Sequence, residues 1–70
     1  MDLDAFAANV RAARERAGLT QEAVADASGI HSTEVSRIER GKRDPRVSTV
    51  LRLAEALGVP VSVLVDGVRE

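Results

Sequence analysis

Seventy residues, no cysteine and a formal net charge of −1 limit the protein to one small domain. At this length folding hides roughly 60% of the surface that the unfolded chain exposes, and neither disulfides nor thiolate metal sites supplement the core. His31 has no companion ligand, no apolar run approaches the ~20 residues of a membrane span, and the start Met1-Asp2-Leu3-Asp4 lacks the basic region of a signal peptide, so the cytoplasm is the default compartment.

Leu3, Phe6, Val10, Ala13 and Ala17 recur at spacings of three and four, the mark of one apolar helix stripe. Asp2 or Asp4 suits the start and Gly18 the left-handed stop, so a first helix is expected from about Asp4 to Ala17. Thr20 then reads as a new cap, with Glu22 at the positive helix end and Leu19 and Val24 spaced as a hydrophobic staple. Gly29 stops this second helix after Ser28. Ile30 and Val35 repeat the staple spacing around His31, which makes His31 the cap of a third helix that Gly41 ends.

Lys42-Arg43-Asp44-Pro45 is a polar loop, since Pro45 bars a continuing helix. A fourth helix places Val47, Val50, Leu51, Ala54 and Leu57 on one face and stops at Gly58. Pro60 opens a last short turn, Val61 to Val65, before a tail from Asp66 to Glu70. The expectation is all-α: a compact five-helix bundle forming a single domain over residues 1–70, with its core in about 6–65.

Two short helices, Gln21–Ser28 and about Ser32–Arg40, joined by a tight turn at Gly29, form a helix-turn-helix pattern. Ala25 is small where the helices cross, and Ile30, Val35 and Ile38 pin the second onto the core. Those anchors turn Ser32, Thr33, Ser36, Arg37 and Arg40 outward. Among them Arg37 alone sits mid-helix with a fork that fits guanine O6 and N7. The charge has a direction too: residues 32–52 hold six basic side chains (Arg37, Arg40, Lys42, Arg43, Arg46, Arg52) against three acidic ones (Glu34, Glu39, Asp44). Such a stretch is the footprint of a polyanion or a plain solvated face.

Val10-Arg11-Ala12-Ala13-Arg14, Gly18-Leu19-Thr20-Gln21, Val24-Ala25, Gly29-Ile30, Val35-Ser36-Arg37-Ile38-Glu39-Arg40-Gly41, Pro45 and Ala54-Glu55-Ala56-Leu57-Gly58-Val59 together resemble the XRE/Cro family of lambda-repressor-like DNA-binding domains, over about Phe6 to Val65. The resemblance implies a transcriptional regulator, most often a repressor, that acts as a symmetric homodimer on a palindromic double-stranded DNA operator. It places the Ser32–Arg40 helix in the major groove, with Ser32, Thr33 and Arg37 reading bases. Gln21, Ser36, Arg40, Lys42, Arg43 and Arg46 would meet the DNA backbone, Gln21 also bracing a neighbour. Arg14 and Glu39 would join the first helix to the recognition helix. Two departures stand out. Ala13 replaces a frequent leucine, leaving space for a neighbour such as Phe6 to fill, and Val63 adds an apolar side chain expected to face outward. The apolar turn carrying Val61, Val63, Leu64 and Val65 is therefore the expected dimer interface.

Other readings stay open at single residues. Glu34 suits either a capping box with His31 or acceptance from cytosine N4. Arg16 reads as solvated, and Arg11 as solvated or phosphate-bound. A rival function is a protein-interaction module, antitoxin-like, that binds another protein through the C-terminal apolar turn; a further protein partner or a missing effector domain is compatible with either. No paired carboxylates, activated nucleophile, glycine-rich phosphate loop or metal cluster supports an enzyme, a cofactor or a metal site.

Overall fold

Local capping chemistry sets the helix boundaries in the computed structural model, which describes every residue from Met1 to Glu70. Asp2 accepts the Ala5 N–H at 3.0 Å and starts α1, Leu3–Arg16. Thr20 accepts the Ala23 N–H at 3.0 Å and starts α2, Gln21–Ser28, which Gly29 ends at a φ of 73°. His31 caps α3, Ser32–Glu39; α4 spans Val47–Leu57 and α5 spans Val61–Leu64. The expected helices thus form in the expected order, with α1 ending a residue earlier and Arg40 serving as the cap of α3.

Helices α1, α2, α3 and α4 surround a core in which Phe6, Val10, Val24, Val35, Ile38, Leu53 and Leu64 are fully enclosed. Ala13 lies in the same cluster as Phe6, the sole aromatic residue. No polar or charged residue is fully buried, so apolar contact alone holds the centre.

Helix α4 departs from expectation. Its inward face is Val50, Leu53, Ala54 and Leu57, whereas Val47 and Leu51 are 75% and 53% exposed. The helix is apolar on more than one side, so two stripes share Val50, Ala54 and Leu57 and differ in whether Leu51 or Leu53 completes them. What lies opposite decides, and Leu53 is the one enclosed.

Smaller corrections concern the two ends of the chain. Ala17, assigned to the α1 stripe, is exposed, while Ala7 is buried. Leu64 is fully enclosed, so it belongs to the core and not to an outer interface. Val61 packs against the core, Val63 is partly buried but does not pack on it, and Val65 is exposed. The stretch after Val65 folds back as well. Asn9 donates from its side-chain amide to the carbonyls of Leu64 (3.0 Å) and Asp66 (2.8 Å), Val68 packs on the core, and the Asp2 N–H reaches the Arg69 carbonyl at 2.6 Å.

Candidate nucleic-acid interface

The turn between α2 and α3 is held by short-range polar contacts. Ser28 Oγ accepts the Ile30 N–H at 3.1 Å and donates to the Ala25 carbonyl at 3.4 Å, spanning Gly29. His31 Nδ1 then accepts the Thr33 N–H at 3.1 Å, satisfying one of the free donors at the start of α3. Ile30, Val35 and Ile38 are buried, which fixes the roll of α3 about its axis. Thr33, Arg37 and Arg40 are exposed as a result, with Ser32 and Ser36 half-buried beside them. Within the chain, none of these five side chains makes a hydrogen bond or an ion pair with another group.

Glu39, on the inner flank of α3, is tied to two other helices. Arg14 of α1 donates from Nε to Glu39 Oε2 at 2.6 Å and from a terminal nitrogen to Oε1 at 3.0 Å, while its other terminal nitrogen donates to the Leu19 carbonyl at 2.9 Å. Gln21, the first residue of α2, adds a third bond to the carboxylate, from Nε2 to Oε1 at 3.1 Å. The hydrogen bond that Arg14 donates to Glu39 raises the Arg14 pKa above its ordinary value, against the opposing effect of burial. Three helix segments therefore converge on one carboxylate. The same bond supplies the bracing role of Gln21.

The loop after α3 carries the remaining cations. Gly41 turns the chain with a φ of 69°, and the Lys42 N–H closes onto the Arg37 carbonyl at 3.0 Å. Lys42 and Arg46 are exposed and take part in no ion pair. Arg43 instead doubles back, with Nε at 3.1 and 2.8 Å from the two oxygens of Glu34. Glu34 therefore makes no capping-box bond to His31, and its carboxylate is turned to Arg43. Nothing local announces this pair, since nine residues separate its members and the loop path brings them together. Asn9 and Ser28 were equally silent in the sequence, being polar residues whose partners are backbone carbonyls and amides.

The outer face of α3 and the loop 42–46 that follows it thus carry Arg37, Arg40, Lys42 and Arg46 exposed and unpaired. Arg11 pairs weakly with Glu15 at 3.4 Å on the exposed side of α1, and Arg16 is exposed. Helix α5 packs on α1 and α4, away from this surface. No three His, Cys, Asp or Glu side chains are grouped to hold a metal, and no helix is long and apolar enough to cross a membrane.

A family model described as helix-turn-helix matches residues 10–64 of the chain. Over 59 residues the chain is 42% identical to the HTH-type transcriptional repressor RghR of Bacillus subtilis, covering 83% of this chain and 44% of that protein. It is 40% identical over 65 residues to the control protein C.SmaI of Serratia marcescens, covering 91% of this chain and 77% of the other. Among solved structures it is similar to the restriction-modification controller protein C.AhdI of Aeromonas hydrophila, with a TM-score of 0.87, 36% identity, and coverage of 90% of this chain and 96% of that one.

Proposed function

Since the chain belongs to the XRE-type helix-turn-helix family of DNA-binding transcriptional regulators, we propose that it represses transcription as a symmetric dimer on a palindromic operator. Each copy lays α3 in a major groove, and the two grooves lie about 34–36 Å apart. Arg37 forks onto a guanine, while Ser32 and Thr33 supply weaker contacts to base edges. Gln21, Ser36, Arg40, Lys42, Arg43 and Arg46 meet the sugar-phosphate backbone. The second copy meets the first through the C-terminal apolar side chains that remain accessible, Val61, Val63 and Val65.

The observation that carries this reading is the outer face of α3. Five polar or cationic side chains stand there with no partner inside the chain, on a helix whose roll is fixed by buried neighbours. Selecting bound sequences from a random duplex pool with the purified chain tests the whole proposal: a palindrome with half-sites one helical turn apart is the expected product. A chain that binds no duplex at ~50 mM salt, where phosphate contacts alone suffice for non-specific binding, overturns it.

A further inference from the structure

Glu34 is an acid at the edge of a surface otherwise suited to a polyanion. Its place in the first turn of α3 accounts for its presence, because a carboxylate there is favoured by the positive end of the helix. Its position also sets a hazard. Arg37 lies three residues along the same helix, the spacing at which opposite charges pair. An Arg37 held by Glu34 has its fork occupied and is lost to guanine. Yet Arg37 makes no ion pair, and both Glu34 oxygens are directed to Arg43 Nε.

We infer that Glu34 and Arg43 are a positioning pair for DNA readout. Arg43 neutralises Glu34 and so keeps Arg37 free, while Glu34 holds the Arg43 guanidinium by Nε and leaves its terminal nitrogens to meet a phosphate. The two terminal nitrogens make no bond within the chain. The Arg43 side chain is 51% exposed, so the pair is reachable from solvent, while Glu34 is only 25% exposed and partly shielded from it. Shielding from solvent strengthens the mutual neutralisation relative to a fully solvated pair. The inference rests on the DNA reading above and adds to it a residue that touches no base.

A double-mutant cycle separates this role from a general charge effect. Wild type, E34Q, R43A and E34Q/R43A are compared on the selected operator and on variants at the base pair that Arg37 discriminates. R43A should lose about tenfold or more in operator affinity and flatten the ranking of variants, because an unpaired Glu34 both repels phosphate and captures Arg37. Adding E34Q to R43A should regain roughly three- to tenfold and restore the ranking, while E34Q alone, which releases Arg43 from its hold, should lower affinity rather than raise it. D44N in the R43A background removes an exposed acid that takes part in no ion pair, and should leave the ranking flat.

The free protein supplies a second measurement that involves no DNA. Solvent exchange of the Arg37 Nε–H should slow in R43A and return to the wild-type rate in E34Q/R43A. An equal effect of E34Q in both backgrounds, or an Arg37 exchange rate that ignores Arg43, overturns the inference while leaving the DNA reading intact. A wild-type chain that binds no duplex removes both.

Discussion

Arg14 and Glu39 meet across the α1–α3 contact in a two-point fork, at 2.6 and 3.0 Å, with their side chains only 15% and 4% exposed. Gln21 binds the same carboxylate, so each polar group in the junction has a partner. The pair contributes orientation more than net stability, because removing two charges from water offsets most of their attraction. Its loss on one side is a different matter.

Glu39→Ala should therefore lower stability by about 3 kcal/mol in urea unfolding, since it strands a shielded guanidinium and the Gln21 amide. Against a total of roughly 4–10 kcal/mol for a domain of this size, that is a large fraction. Replacing both partners, Arg14→Met with Glu39→Leu, should recover most of the loss. The raised Arg14 pKa gives stability that is complete below the ordinary arginine range and is lost only as pH rises past it. Arg14 should accordingly add no slope to stability between about pH 6 and 9.

Arg37→Ala and Lys42→Ala should fail in different ways on DNA. The first should relax preference at one or two base pairs of each half-site, at about 1–3 kcal/mol of lost discrimination. The second should weaken all operator variants alike and reduce the slope of log affinity against log salt by about one unit. Binding titrations over a panel of variants at several salt concentrations read both effects. An unchanged ranking with Arg37→Ala would remove Arg37 as the reader.

His31→Ala should destabilise the domain by about 1 kcal/mol, the usual cost of an empty N-cap, because the Thr33 N–H loses its acceptor. His31→Asn offers a side-chain oxygen in place of the Nδ1 acceptor and should recover the loss. Thermal melts of the two variants are sufficient.

Leu53 and Leu51 differ by two positions and should differ widely in consequence. Leu53→Ala empties a fully enclosed site and should cost about 2–5 kcal/mol. Leu51→Ala, at a side chain 53% exposed, should stay within about 1 kcal/mol of wild type. A larger loss at Leu51 than at Leu53 would mean that α4 faces the core with the other stripe.

Asn9→Ala should release the C-terminal stretch without loosening the centre. Two hydrogen bonds to the Leu64 and Asp66 carbonyls disappear, so the Val68 amide should lose protection in hydrogen exchange while Val35 and Ile38 keep theirs. The global cost should be about 1–2 kcal/mol.

These differences follow the range over which each feature is specified. The helix ends were legible because a cap or a left-handed glycine acts within four residues of itself, as at Thr20, His31 and Gly29. The roll of α3 was legible for the same reason, since Ile30, Val35 and Ile38 admit one inward face. The roll of α4 was not, because its extra apolar side chains permit two faces and only the opposing helices choose between them. The Glu34–Arg43 pair and the Asn9 clamp join groups nine and up to 57 residues apart, where no periodicity links them. The resemblance supplied the Arg14–Glu39 pair, which spacing alone does not reveal.

Ser32, Thr33, Ser36, Arg37 and Arg40 hold up no part of the fold, since their side chains bond to nothing else in the chain. Substitution at exposed positions such as Thr33, Arg37 and Arg40 usually shifts stability by no more than about 0.5 kcal/mol, and Ser32 and Ser36 are small and only partly buried. A descendant of this protein is thus free to exchange its whole outward set, one residue at a time, without passing through an unfolded intermediate sequence. On the proposed reading, recognition falls to the outward residues of this eight-residue helix and its Arg40 cap and foldability to the inward ones, so that a new target is reachable by altering only the first.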